Sequence, residues 1–332
     1  MSNSPARRTP AVTLDDYQLD DRYRRSTGQV FLTGTQALVR IPLLQAAADK
    51  KRGLKTAGFI SGYRGSPLGN YDRELWRAAD HLQRHDITFE PGINEELAAT
   101  AVIGSQQVES SGFARYDGVF GIWYGKGPGV DRAGDALKHG NSFGASPRGG
   151  VLVIAGDDHG AVSSSMNHQS EQIMESWMMP VLAPSNLQDY LNFGLYGFAM
   201  SRYSGCWSGF IAVSEVVESA ATVNMDLVKD DFIYPDHAGY DQAALHYRWP
   251  DPFPLVEGRL MDHKLKAVHA FVRANPIDKL VWDCREKVKT DKKPLGIVTC
   301  GKGYLDLMQA FENAGITQDM AEQAGMSIYK LG

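Results

Sequence analysis

Three short stretches of the 332-residue chain carry residues able to do chemistry. Asn94-Glu95-Glu96 opens a run of small residues, Ala98, Ala99, Ala101 and Gly104. Asn is a strong helix N-cap, and acids in a first turn ordinarily just complement the helix dipole. Small residues also let another layer come close, so a carboxylate at the mouth of such a helix can sit half-buried against a ligand. Burial there raises its pKa and lets it share a proton with a ring nitrogen. Gly125-Lys126-Gly127-Pro128-Gly129 follows an apolar run and opens a second helix, where backbone N–H groups can face an anion. It has neither GxGxxG nor GxxxxGK[ST], and Pro128 removes a donor, so a tight turn walling a site is the simpler reading. Asp157-Asp158-His159 follows the apolar run Val151 to Ala155. Neighbouring loop residues seldom all face one ligand, and the ordinary work of such acids is to accept N–H groups of their own turn. Ser163 to Ser165 lies outside any GxSxG, so no nucleophile elbow is expected. His159 and His168 read as polar loop residues, and no metal is expected on this chain.

These residues need elements to hold them. Val30 to Thr33 reads as a short strand and Thr35 to Lys50 as an amphipathic helix. Thr56 to Gly62 reads as a buried strand ending in the turn YRGSPLGN, followed by a helix over 72–84. Ile87 to Pro91 is extended, and Asn94 caps a helix running to about Val108. Gly118 to Trp123 and Gly150 to Ala155 are strands, with a helix over Val130 to His139 between them. Met179 to Pro184 is a strand, Leu187 to Tyr203 a long helix, Phe210 to Val213 a strand, and Glu215 to Val223 a helix. Strands alternating with helices at this spacing predict an α/β fold with a mostly parallel sheet, whose ligands bind at the carboxyl ends of strands. The polar, glycine-rich loops 62–70, 125–132 and 156–169 all fall at such ends. Tyr247 to Pro254 is proline-rich and reads as a connector, with a helix over Asp262 to Asn275 after it. Pro294 to Cys300 is a strand, and Gly301, Gly303 and Tyr304 a turn before a helix over Leu305 to Ala314. One strand–helix unit cannot cover both faces of a sheet, so the chain is expected to stop inside a domain.

Composition removes some classes of function. Hydrophobic residues make up 43% and charged residues 22%, enough for a sizeable core, and the net charge is −5, with no basic excess for nucleic acid. The three cysteines, Cys206, Cys284 and Cys300, form no CxxC pair, so an iron–sulfur or zinc framework is not expected here, and sparse thiols suit a cytoplasmic protein. No apolar h-region or run of ~18 apolar residues occurs, so neither a signal peptide nor a membrane span is expected.

Five segments in order carry a family likeness: Gly28 to Pro42, Phe59 to Tyr71, Asn94 to Gln106, Trp123 to Leu137 and Val151 to Gln169. Together they resemble the pyrimidine-binding domain of the thiamine-diphosphate-dependent 2-oxoacid:ferredoxin oxidoreductases, most of all the fused indolepyruvate branch. Residues 293–332 resemble the start of a transketolase C-terminal-like domain. The resemblance implies four parts: an arm over 1–26, a pyrimidine-binding domain over 27–230, a connector over 231–292 and a truncated transketolase C-terminal-like domain over 293–332. It implies that Glu95 falls on the carboxylate that hydrogen-bonds N1′ of the aminopyrimidine. A proton there favours the tautomer whose 4′-nitrogen takes the thiazolium proton. Gly65 and Ser66 fall on the loop facing cofactor and substrate, and Lys126 on a lysine that could pair with the substrate carboxylate. Arg64 stands where a proline is common and joins the substrate wall. Asp157 and Asp158 fall on the paired acids after the strand, with Asp158 near the cofactor and both shaping the loop.

The implied reaction is oxidative decarboxylation of an aryl 2-oxoacid such as indolepyruvate, with coenzyme A taking the acyl group and ferredoxin the electrons. The GDG…N segment that holds magnesium and diphosphate is missing, as are CxxC clusters. Mg2+, the diphosphate and any 4Fe–4S clusters therefore belong to missing domains or a partner subunit, and a homo-oligomer is implied. Two other readings stay open: a non-catalytic assembly subunit or fragment, and a nucleotide-binding dehydrogenase domain using the 125–129 loop.

Overall fold

A computed structural model describes residues 17–236, 239–248, 250–287 and 293–332. Most of the N-terminal arm, with Arg7 and Arg8, lies outside these residues, as does Trp249 of the proline-rich stretch. The largest sheet has six strands, β2 (Thr56–Gly62), β3 (Ile87–Phe89), β4 (Gly118–Lys126), β5 (Val151–Gly156), β6 (Val181–Leu182) and β7 (Ser208–Ile211). Their order is β3-β2-β4-β5-β7-β6 and every pairing is parallel. β5 is buried along its whole length and β4 in all but its last residue. A parallel strand covered on both faces has no polar side to show, which is why both read as continuous apolar runs. Helices Gly34–Lys51 and Leu187–Ser204 pack together over one face, and Glu95–Ser105 packs on β2 and β4. Phe120, Ile122, Trp123, Val153, Ile154 and Phe210 are all 0% exposed in the core between the layers. Burial of one such side chain contributes roughly 1.5–3 kcal/mol. The α/β class expected from the sequence is the class observed.

Chain order sets where a ligand can enter. β3 lies on one side of β2, and the next crossover returns to the other side to form β4. The connections after β2 and β4 diverge, and a crevice opens between the carboxyl ends of those strands.

Several local expectations are corrected. Residues 215–223 are not one helix: Ser214–Val217 is a single turn, and Ala220–Asn224 is β8, antiparallel to β1 (Gln29–Thr33) in the register Gln29↔Asn224. That pairing joins residues nearly two hundred apart, so nothing local announces it. The helix expected over 72–84 is two helices, Tyr71–Arg77 and Ala79–Gln83, and the one over 130–139 is also two, Gly127–Arg132 and Gly134–Phe143. Gly301, Gly303 and Tyr304 start a helix, Gly301–Asn313, rather than forming a turn before it. The described end of the arm is docked, because the buried Tyr23 hydroxyl donates to Glu74 Oε1 at 2.9 Å. Within 231–292, Phe253–Arg259 and Leu265–Ala274 are helices, and Phe271 is fully buried in the main core. A separate three-stranded sheet, in order β10-β11-β9, joins β9 (Lys279–Trp282), β10 (Leu295–Cys300) and β11 (Met326–Leu331) around Trp282, Phe311 and Ile328.

Candidate functional site

The crevice is walled by the loops after β2, β4 and β5. Gly62 pairs with Tyr124 and Lys126 with Gly156, so the three strand ends are neighbours. Asn94 caps the helix Glu95–Ser105 by accepting from the Leu97 N–H at 2.9 Å. The cap puts Glu95 at the first helical position, and the Trp123 indole N–H donates to the Glu95 carbonyl at 2.9 Å, tying that helix mouth to β4. The Glu95 side chain is only 13% exposed. Ala98 and Ala99 behind it are buried, while Glu96 is exposed and belongs to the solvated face.

Gly129 brings the loop after β4 against Glu95. A Cβ on Gly129 would stand 2.6 Å from Glu95 Cγ, so any side chain there would displace the carboxylate. The charge Glu95 meets is Arg132, with Nε 3.7 Å from Oε2 on a side chain that is 58% exposed. Half-burial against a flat wall is therefore found, with an exposed guanidinium beside it. A solvated cation of this kind can be exchanged for a ligand's hydrogen-bonding nitrogen at small cost.

Lys126 is half-buried at the position just before the next helix, and its stem lies against Gly65, where a Cβ would be 2.9 Å from Lys126 Cδ. Its ammonium makes no hydrogen bond or ion pair among the described residues. Ser66 precedes a cis peptide bond to Pro67, and its hydroxyl is 2.7 Å from the Ser163 hydroxyl, which joins the loops after β2 and β5. Ser66 also lines an open polar cleft of about 580 Å3 with Thr33, Thr35, Arg73 and Arg77. Arg64 is exposed near the buried Tyr124–Asp72 pair, whose hydrogen bond is 2.6 Å. Burial raises the Asp72 carboxyl above its usual range, against the pull of Tyr124 and Arg64.

Glu95 at its helix mouth, Lys126 at the end of β4 and Arg64, Gly65 and Ser66 in the loop after β2 thus stand at or beside the carboxyl ends of neighbouring strands, with Lys126 against Gly65 and Glu95 against Gly129. Asp158 does not face the crevice in the same way. Its oxygens accept the Ser163 N–H at 2.8 Å, the Val162 N–H at 3.0 Å and the Ser163 hydroxyl at 3.2 Å. The Ser163 N–H is the chief reason its pKa lies below the usual carboxylate range. Asp157 is wholly buried and accepts from the Ser170 N–H and hydroxyl at 2.7 and 2.6 Å. His168 lies within 3.4 Å of Asp131 and so ties the same loop to the helix Gly127–Arg132. Sequence reading missed Arg132, Trp123 and Ser163 as neighbours of the site. Arg132 follows Gly129 by three positions, nearly one helical turn, which is the single local signal for it. The others reach the site from different strands and loops.

The residues fit an aminopyrimidine. The carboxylate is half-buried at a helix mouth, at the fold's ligand crevice, and a glycine keeps the space before it free.

Comparison with known proteins gives three results. The profile described as the indolepyruvate oxidoreductase domain matches residues 285–332. Two relatives are each named indolepyruvate oxidoreductase subunit IorA. The one from Methanothermobacter marburgensis is 27% identical over 56% of this chain and 26% of its own length. The one from Archaeoglobus fulgidus is 21% identical over 93% of this chain and 45% of its own length. The chain therefore spans less than half the length of these relatives. A 2-oxoglutarate:ferredoxin oxidoreductase from Magnetococcus marinus, solved with 2-oxoglutarate, coenzyme A and succinyl-CoA, shares the fold at a TM-score of 0.61. That match covers 92% of this chain and 54% of the solved one at 12% identity. Profile and relatives agree in what this chain is similar to, the indolepyruvate oxidoreductases, and the solved structure shows that it shares its fold with a 2-oxoacid:ferredoxin oxidoreductase.

Proposed function

We propose that this chain supplies the aminopyrimidine-binding half of a thiamine diphosphate site in an enzyme that oxidatively decarboxylates an aryl 2-oxoacid, indolepyruvate or a close analogue. The observation that carries this reading is the Glu95 carboxylate, 13% exposed at the crevice mouth and cleared by Gly129. Bound thiamine diphosphate would supply the carbanion-stabilising chemistry that expels carbon dioxide. Glu95 holds a proton between its carboxyl oxygen and the pyrimidine ring nitrogen, and Trp123 keeps the helix mouth in place while it does so. Lys126 offers an unpaired ammonium to the substrate carboxylate, and Ser66 a hydroxyl to cofactor or substrate. Gly65 lets Lys126 lie flat in the wall, and Arg64 sets the outer rim. Asp158 serves by shaping the loop that presents Ser163 to Ser66.

Mg2+ and the diphosphate are held by another domain or a partner subunit, since the sequence has no GDG…N segment. Coenzyme A, 4Fe–4S clusters and ferredoxin act with those parts in a cytoplasmic, oligomeric enzyme. Among the described residues no helix is long and apolar enough to cross a membrane.

The test joins the chain to the rest of its enzyme and measures 2-oxoacid-dependent reduction of a viologen dye with thiamine diphosphate. Glu95→Gln is expected to lower kcat by about a hundredfold or more, with folding intact. Native-like turnover in Glu95→Gln overturns the assignment, and no turnover with any 2-oxoacid by the native assembly favours an assembly role.

A further inference from the structure

Asp157, His159 and Glu171 take no part in the cofactor site proposed above, yet they converge. Asp157 directly follows β5, His159 lies in the loop after it, and Glu171 is in the first turn of the helix Ser170–Ser176. One ligand-competent atom from each lies within 4.8 Å of the others. The Asp157 carboxylate is 0% exposed, and the two donors of Ser170 fix its plane. Each of its oxygens keeps a lone pair free. Glu171 Oε2 is closed off from solvent and has no hydrogen-bond partner among the described residues. A buried carboxylate oxygen without a donor is unfavourable, and a cation is the kind of partner that relieves it. The His159 backbone carbonyl accepts from Asn167 Nδ2, while its exposed ring makes no hydrogen bond or ion pair among the described residues.

We infer that Asp157, His159 and Glu171 form a binding site for a divalent transition-metal ion, Zn2+ or Mn2+, which closes the loop 157–171 beside the crevice. One imidazole nitrogen with two carboxylates suits these ions, whereas Mg2+ and Ca2+ prefer oxygen alone. Ligand atoms around tetrahedral Zn2+ stand about 3.4 Å apart, so the cluster has to close by up to roughly 1.4 Å, which rotation of the exposed His159 ring and of the partly exposed Glu171 side chain supplies. Ser170 takes the part of the outer partner that orients a ligating carboxylate. The ion would pin both ends of the loop whose Ser163 hydroxyl meets Ser66. That arrangement stabilises the crevice wall whatever the crevice binds, so the site does not rest on the thiamine reading.

The test uses the full chain stripped of metal. Binding of Mn2+ is followed by loss of its free-ion paramagnetic signal, and binding of Zn2+ by calorimetry. One Mn2+ per chain is expected, displaced by stoichiometric Zn2+ and not by the same concentration of Mg2+. His159→Ala and Glu171→Gln should each weaken binding at least about tenfold, and Ser170→Ala by about tenfold. His168→Ala, a neighbouring histidine outside the cluster, should leave it unchanged. Absence of a saturable site overturns the inference and leaves a proton-sharing network of the three side chains. Binding that survives both His159→Ala and Glu171→Gln overturns it too, by placing the ion elsewhere.

Discussion

Asp49 is wholly buried at the amino ends of the strands, opposite the crevice. Arg202 reaches it with both terminal nitrogens, at 2.6 and 2.8 Å, while its Nε donates to the Gly149 carbonyl at 2.8 Å. Gln45 and Thr56 also donate to Asp49, at 2.9 and 2.7 Å. Five donors in this network join the helix Gly34–Lys51, the start of β2, the helix Leu187–Ser204 and the turn before β5. Removing the cation leaves a buried carboxylate uncompensated, so Arg202→Ala should destabilise by about 3–5 kcal/mol. The double variant Asp49→Leu/Arg202→Leu should recover most of that loss, because no charge is then stranded. Urea unfolding of the three proteins checks this, and a double variant as weak as Arg202→Ala sinks the explanation. Legibility differs sharply between such residues. Asn94 announces the helix that carries Glu95, because capping is chemistry within four residues. The partners of Asp49 and Glu95 come from distant segments, and a charged residue's type does not say whom it meets.

At the scale of elements, one helix end is held by a buried lysine. Lys264 is 0% exposed and its ammonium donates to the Ser142 carbonyl at 2.8 Å, in the last turn of the helix Gly134–Phe143. A cation suits a helix C-terminus, yet burial dominates and lowers the Lys264 pKa to about 7. Cys206 opposes that shift, Arg259 adds to it, Asp251 opposes it and Arg248 adds to it. The folded pKa lies below the unfolded value of 10.5, so the unfolded chain binds more protons across that window. Stability should therefore rise with pH above about 7, with the penalty constant below it. Cys206 works the other way: burial pushes its thiol from 9.0 up to about 11, so its effect enters at higher pH. Urea midpoints between pH 7 and about 8.5 isolate the lysine, and Lys264→Met should flatten the slope. A native slope that Lys264→Met leaves unchanged contradicts the assignment. Lys264 ends a π-helical stretch, Leu260–Lys264, that straddles the start of the helix expected from sequence over Asp262 to Asn275. Hydrophobic periodicity found the helix over 262–275 but could not show that the ammonium points inward. In the same way β4 and β5 were legible because both faces are apolar, whereas β8 needed a partner that local pattern does not contain.

For the molecule as a whole, the question is how the three-stranded sheet is held to the six-stranded unit. Its own core is small, with Trp282 and Phe311 rings 4.9 Å apart and Ile328 buried beside them. Leu295 and Val298 on β10, which point to opposite faces of the strand, are both exposed, so β10 adds little apolar burial to the small sheet. One link to the main unit is Lys330 on β11, whose ammonium is 2.6 Å from Asp189 Oδ2 with both side chains mostly buried, 8% and 13% exposed. The same ammonium lies 5.1 Å from the Tyr304 ring and 5.9 Å from the Phe193 ring, so it bridges both units through aromatic faces as well. Asp189 is itself fixed in the first turn of the helix Leu187–Ser204, where it accepts the Ser185 N–H at 3.1 Å. A charge-assisted, half-desolvated pair of this kind contributes about 1–3 kcal/mol. Lys330→Ala should therefore speed amide exchange across 295–300 and 326–331 by several-fold to a hundredfold, while β4 and β5 exchange as before. Lys330→Arg should keep most of the protection, since the charge and the ring contacts persist. Equal exchange in Lys330→Ala and the native chain would mean that the small sheet is held by other contacts. Acceleration spreading into β4 and β5 would mean that the two sheets open as one unit.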